Sequence, residues 1–276
     1  MPHRPIITLT TDFGTNDHFV GAVKGVILDI VPEAAIVDVT HAIQAYDVLD
    51  GAIAISQTYS YFPTGTVHMV VVDPGVGTTR RPIIASSDGY HFVAPDNGVL
   101  SMVYAKEERI HVRHVTSEHY FHQPVSSTFH GRDVFAPVAA YLAKMVDSHK
   151  FGDEIEDYVK FAAPRPKPAG DNRLRAVVLK VDRFGNLITN LTPQDAPSLF
   201  GAKPSAFKIV VGNKEITEIR NTYAEGAPGE VFGILGSMGY LELVANRAAA
   251  AQLTGAGKGA EVSIFLGEAA AAGKGA

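Results

Sequence analysis

The sequence predicts an α/β fold: an N-terminal α/β domain with a largely parallel central sheet, then a smaller C-terminal all-β domain. Two observations predict it. From residue 6 to about residue 160, short β-branched apolar runs alternate with stretches of helical periodicity, as in a parallel sheet covered on both faces. Beyond a proline-rich stretch the helical pattern fades, and short strand-like runs recur between turn residues.

The elements follow in order. Residues 6–10, 35–39 and 66–72 read as buried strands, because each is a run of apolar and β-branched residues. Residues 19–30 carry apolar side chains at helical spacing and stop before Pro32. Residues 47–61 form a second expected helix, with Val48, Ala52, Ile55 and Tyr59 on one face. Residues 133–145 form a third, with Asp133 near its start and Val134, Val138, Tyr141 and Met145 along one stripe. Pro164, Pro166 and Pro168 alternate within residues 162–172, which favours an extended, semi-rigid linker. Residues 175–181, 206–211, 230–235, 240–244 and 261–265 then read as short strands of a small β-sandwich or barrel. The expected division is therefore an α/β domain over 1–161, the linker, a β domain over 173–268, and a frayed Ala/Gly-rich tail over 269–276.

Composition narrows the function. With 276 residues, 46% apolar and 19% charged, the chain can bury one large core or two modest ones. A net charge of −5 gives no global basic field for nucleic acid or an anionic membrane surface, so neither is expected as a partner. The absence of cysteine removes disulfides, thiolate metal sites and a thiol nucleophile together. Residues 1–5 lack the apolar region of a signal peptide, and no apolar run reaches the ~18 residues of a membrane span, so a cytoplasmic protein is expected.

Three polar stretches carry candidate chemistry. Asp12 follows the first strand in a Gly-containing loop, where a carboxylate can accept hydrogen bonds from both hydroxyls of a ribose. Asp17 adjoins the next helix and fits an N-cap better. Asp73 and Arg80 are seven positions apart across Pro74-Gly75-Val76-Gly77-Thr78-Thr79, a tight loop that can fold the guanidinium onto the carboxylate. Such a pair orients water, or simply braces the loop. Arg81 is expected to be solvated. His130 lies just before a helix start and, with Asp73 and Arg80 as partners, is a credible general base or proton relay. Arg132 and Asp133 are expected to brace or cap that helix.

Other features have plainer readings. His111, His114, His119 and His122 crowd in sequence, but His111 and His114 fall on opposite faces of a strand and no metalloenzyme spacing is present, so no metal is expected. Phe184 can stack on a purine and the Asn186 amide can pair with an adenine edge, although residues 182–186 also suit a hairpin turn. Residues 236–240 and Asp96-Asn97-Gly98 read as turns. The Gly-rich segments match neither a P-loop nor a dinucleotide fingerprint.

Taken together, Thr10-Thr11-Asp12-Phe13-Gly14, Val72-Asp73-Pro74-Gly75-Val76-Gly77, Ala94-Pro95-Asp96-Asn97-Gly98, Phe129-His130-Gly131-Arg132-Asp133, Phe184-Gly185-Asn186 and Gly239-Tyr240-Leu241 resemble the SAM hydroxide adenosyltransferases. These are S-adenosyl-L-methionine (SAM) hydrolases related to the SAM-dependent fluorinase and chlorinase. The resemblance implies a water-activating triad of Asp73, Arg80 and His130, with Asp73 and His130 deprotonating the water and Asp12 at the ribose diol. It places Phe184, Asn186, Asn246 and Arg247 at the adenine, and Asp17, Asp182 and Ser237 at the methionine moiety. Tyr46 matches an aromatic beside the reacting carbon. It further implies SAM as substrate, no cofactor, and a trimer with sites shared between subunits. The halogenases carry Tyr where this chain has Asp73, and the fluorinase has Arg where this chain has Met238. A halogenase-like enzyme, a hydrolase attacking C1′ and a non-catalytic SAM or adenosine sensor are the alternatives.

Overall fold

A computed structural model describes residues 4–201 and 206–267, so the expected tail over 269–276 lies outside the described residues. The chain divides into two compact units, Met1–Ala163 and Pro164–Ala276.

The first unit is built on β1 (Ile6–Thr11), β2 (Ala35–Thr40), β3 (Val67–Val71), β4 (Pro82–Ser86), β5 (His91–Pro95) and β6 (His111–His114), in the sheet order β2-β1-β3-β5-β4-β6. The β2, β1, β3 and β5 strands run parallel, whereas β4 pairs antiparallel with β5 and β6. Alternate residues of β3 face different cores. Val67, Met69 and Val71 pack with helices α1 (Phe19–Ile30) and α4 (Ala136–Ala143), while Val70 and Val72 pack with α2 (Val48–Ser56) and the short α3 (Ser101–Tyr104). Both sheet faces are therefore covered, as the alternating pattern predicts. The chain leaves β1 toward β2 on one side and reaches β3 on the other. The β1/β3 boundary is thus a topological switch point, where the carboxyl ends of neighbouring strands open a crevice.

Two helices differ from expectation. Asp47 caps α2 by accepting the Asp50 N–H, but α2 ends at Ser56 and a separate 3₁₀ turn covers Tyr59–Tyr61. Tyr59 is still buried, so the apolar stripe survives the break. The third helix begins earlier, as a π-helical turn over Gly131–Phe135 that runs into α4 and ends at Ala143.

The second unit is one curled, largely antiparallel sheet rather than two stacked sheets. Its strands are β7 (Lys167–Pro168), β8 (Arg173–Val181), β9 (Leu187–Thr189), β10 (Phe207–Val211), β11 (Lys214–Ile216), β12 (Ile219–Arg220), β13 (Val231–Leu235), β14 (Leu241–Ala245) and β15 (Glu261–Leu266). The long β8 belongs to both halves: its first part pairs with β15, and its last part pairs with β9 after a register shift near residue 178. That irregularity bends the strand and helps the sheet curl. Part of the proline-rich stretch expected to be a linker is also sheet, since β7 pairs antiparallel with β8. A one-turn helix, α5 (Ala250–Thr254), lies between β14 and β15.

One buried group gives the fold a pH dependence. His68 on β3 is fully buried, with Nδ1 2.7 Å from the Thr8 hydroxyl and its ring stacked on Phe92 at 5.2 Å. Burial pushes its pKa down to about 3, so the ring folds neutral. The unfolded chain binds the extra proton below about pH 6.5, so stability should fall by about 1.4 kcal/mol per pH unit as pH drops toward 3. Urea unfolding of the protein and of His68→Leu between pH 7 and pH 5 checks this. The variant should show a slope smaller by about one proton.

Candidate active site

The switch point brings two carboxylates together. Thr11 of β1 and Val71 of β3 are paired in register, so Asp12 and Asp73 emerge side by side just beyond them. Burial pushes the Asp12 carboxyl above its ordinary pKa, and the nearby Asp73 charge adds to this, while the Tyr46 N–H opposes it. That N–H donates to Asp12 Oδ2 at 2.9 Å and holds Tyr46 in a left-handed conformation at φ 68°. Tyr46 is 75% exposed, an unusual setting for an aromatic ring.

Asp73, Arg80 and His130 meet around one guanidinium. Arg80 Nε donates to Asp73 Oδ1 at 3.0 Å and Oδ2 at 2.9 Å, and Nη2 donates to Oδ2 at 2.6 Å. The pair is enclosed, with side chains 9% and 5% exposed, and the guanidinium lies 5.2 Å from the Phe135 ring centre. Arg80 Nη2 is also 2.7 Å from His130 Nδ1. An arginine only donates, so Nδ1 is the acceptor and a neutral ring carries its proton on Nε2. Burial and the Arg80 charge both push the His130 pKa below its ordinary value, which favours that neutral ring.

His130 is aimed by the π-helical turn that it precedes, in which the Ala136 N–H reaches the Gly131 carbonyl. Such widened turns concentrate at functional sites. Asp133, fully buried in that turn, accepts hydrogen bonds from Arg132 and from the Ser126 N–H. Ser126 belongs to the segment against which the Asp73–Arg80 loop packs. Gly77 sits at φ 76°, and a methyl group there would overlap the Ser127 carbonyl oxygen. Asp12, Phe13, Phe19, Tyr46, Asp73, Phe129 and His130 line a cavity of about 320 Å³. Phe13, Phe19 and Phe129 form an edge-packed aromatic wall that the reading of charged residues passed over, although Phe13 and Phe129 lie within the quoted motifs.

The second unit has its own cavity, of about 560 Å³, lined by Phe184, Asn186, Tyr223, Asn246, Arg247 and neighbouring alanines. The 182–186 segment is indeed a hairpin turn joining β8 to β9. Asp182 braces it by accepting from the Phe184 and Asn186 N–H groups, which leaves Phe184 78% exposed. Asn186 Nδ2 also donates to Asp182 at 2.8 Å, so only part of that amide is available to a ligand. Tyr223 has no motif that marks it. Its pKa is pushed up by burial and by the charge of Glu242, a buried acid whose own pKa is pushed up by desolvation and by the Asp182 charge.

The remaining candidates lie elsewhere. Asp17 is exposed in the bend before α1 and does not cap it; His18 stands at the N-cap with no side-chain hydrogen bond. Ser237 is exposed in the turn between β13 and β14. Neither lines either cavity. Arg81 is not solvated as expected: the buried Asp96 carboxylate draws it inward, and the exposed Asp157 pairs with its outer side. Among the described residues, no three His, Asp or Glu side chains converge as metal ligands would.

The chain is similar to known proteins over nearly its whole length. The SAM hydroxide adenosyltransferase N-terminal domain matches residues 7–152, and the C-terminal domain of the same family matches residues 176–263. The chain belongs to the SAM hydroxide adenosyltransferase family. An (R)-S-adenosyl-L-methionine hydrolase from Salinispora tropica is 36% identical over 97% of this chain and 100% of that protein. A fluorinase from Nocardia brasiliensis is 29% identical over 96% of this chain and 98% of its own. The crystal structure of a conserved protein from Thermotoga maritima superposes with a TM-score of 0.86 at 33% identity, covering 94% of this chain and 99% of that one. Thus the family's fold spans nearly the whole chain.

Gly77 offers a test of how tightly the site is built. Gly77→Ala combines a left-handed backbone with a clash against Ser127, and should lower unfolding stability by about 1–3 kcal/mol. Gly21→Ala, on the open face of α1, should instead be neutral or stabilise by up to about 1 kcal/mol. Urea titrations of both variants make the comparison.

Proposed function

We infer that this protein hydrolyses S-adenosyl-L-methionine to adenosine and L-methionine. The observation that carries the reading is the Asp73–Arg80–His130 cluster, in which Asp73 and His130 line the same cavity as Asp12 at the switch point and Arg80 joins them from behind. The substrate's sulfonium is already a good leaving group and departs as a neutral thioether, so the reaction requires neither a general acid nor an electrophilic metal. A water oxygen bonds to C5′ as the C5′–S bond breaks, with the bonding pair leaving on sulfur. The enzyme's task is to place that water in line and take its proton.

Asp73 is assigned the proton, because its carboxylate lines the cavity and is an acceptor only. The hydrogen-bond pattern narrows the part played by His130. With Nδ1 occupied by Arg80, the ring has Nε2–H left, a donor that orients water rather than a base that deprotonates it. Arg80 fixes both partners and offsets negative charge as hydroxide character develops. Asp12 retains Oδ1 for the ribose hydroxyls while Oδ2 holds the Tyr46 backbone. The carboxylate at position 73 also favours water over a halide ion, since two anions repel in an enclosed site. Phe184, Asn186 and Tyr223 supply an aromatic face and an amide suited to adenine.

Incubation with SAM should yield adenosine and methionine equally well in the presence of chelator, with oxygen from labelled water on C5′. Asp73→Asn should lower kcat by roughly 10² or more with little change in SAM affinity. Asp12→Ala should instead weaken binding, by about 1.5–3 kcal/mol. Adenine as the product, or a rate in Asp73→Asn equal to that of the unaltered protein, overturns this assignment.

The assembly proposed is a cyclic trimer in which one subunit's Asp12–Asp73 cavity is completed by the Phe184–Asn186 surface of a neighbour. What supports it is the division of the required groups: the water-handling residues line one cavity, and the adenine-suited residues line another. Subunits carrying Asp73→Asn, exchanged with subunits carrying Asn186→Ala, should regain activity, because some interfaces then pair two intact halves. An active monomer in ultracentrifugation sinks the trimer.

A further inference from the structure

We propose that Asp96 and Asn97 are positioning residues that clamp both ends of the 73–80 loop and so fix Asp73 and Arg80 against His130. Asn97 Nδ2 donates to the Val72 carbonyl at 2.8 Å, immediately before Asp73. Its Oδ1 accepts the Val99 N–H at 3.1 Å, so the amide is held by both ends and cannot flip without losing both bonds. The preceding residue grips the other end of the loop. Asp96 Oδ2 accepts from Arg81 Nε at 2.9 Å and Nη2 at 2.7 Å, immediately after Arg80. The Asp96 N–H donates to the Arg81 carbonyl at 2.8 Å. Consecutive residues outside the loop therefore hold the residue before it and the residue after it.

The clamp is itself well anchored. The Asp96 side chain is 2% exposed, and its Oδ1 accepts the Val159 N–H at 2.7 Å. Arg81 is held from its far side by Asp157, through the carboxylate at 2.7 Å and the backbone carbonyl at 2.9 Å. Within the loop the bonds are local: Thr78 Oγ1 donates to the Gly75 carbonyl, and the Val76 N–H reaches the Asp73 carbonyl. Those bonds shape the turn without tying it to the sheet. The tie comes from Asp96 and Asn97, neither of which lines the cavity. A displacement of about 1 Å at reacting groups can lower a rate about 10²-fold, so a clamp of this kind acts on turnover rather than on binding.

This inference rests on the hydrolase reading for its kinetic readout, and the unaltered protein's turnover of SAM tests that reading separately. In Asn97→Ala and Arg81→Ala, kcat should fall 10- to 100-fold while the adenosine Kd and binding stoichiometry stay within threefold of the unaltered protein. Arg81→Lys, which keeps one charge-assisted contact with Asp96, should recover part of the loss. A second readout needs no activity. The ring nitrogens of His130, assigned by their loss in His130→Asn, should titrate at higher pH in Asn97→Ala, because Arg80 no longer presses on Nδ1. Unchanged kcat in both variants, an unmoved His130 titration, or adenosine binding lost in step with kcat would each overturn the clamp. The last of these marks a role in stability alone.

Discussion

A guanidinium enclosed by protein is the constraint on which the first unit's architecture turns. Arg80 has five donors and no acceptor, so whatever surrounds it must accept. Asp73 takes the Nε and Nη2 edge of the fork, and His130 accepts from the same Nη2. Removing one partner from a buried pair costs about 3–5 kcal/mol, because the other charge is left without compensation. The strand end, the 73–80 loop and the turn before α4 are therefore coupled through one side chain. A lysine would not serve, since a point charge cannot engage a carboxylate side-on and an imidazole together. The neighbouring Asp12 completes the arrangement by contrast, with a carboxyl raised by burial and by the Asp73 charge.

Much of this was legible in the sequence, for reasons that can be traced residue by residue. Helix α1 spans residues 19–30 as its periodicity predicts, because Val23 and Ile27 form a clean buried stripe and Pro32 ends it. Periodicity could not see the break after Ser56, since the 3₁₀ turn returns Tyr59 to the same buried face. Nor could it see the π-helical turn at 131–135, since Val134 and Val138 are buried all the same. Met145, expected on that stripe, lies past the end of α4 and is exposed. Arg81 reads as solvated in the sequence because its partner Asp157 is 76 residues away, and proximity of that kind leaves no local trace.

The site divides in the same way. Two glycines and a proline between Asp73 and Arg80 announce a tight loop, so their pairing is visible from spacing alone. His130 is 50 residues beyond Arg80, and only the sheet order and the turn at 131 bring it close. The histidine tautomer was out of reach of any motif, because it is set by the atom on the other side of the ring. Asn186 shows the opposite limit: the residue type suits adenine, yet its own loop already takes one of the amide's donors through Asp182.

The clamped loop has an evolutionary consequence. A segment whose two ends are held by residues outside it behaves as an exchangeable cassette, in which interior positions can change while the frame stays in register. Positions of the loop other than Gly77 can thus be exchanged with little disturbance to the sheet, whereas Gly77 is held by the nearby Ser127 carbonyl. A hydrolase and a fluorinase that are each similar to this chain over nearly its whole length fit such modularity.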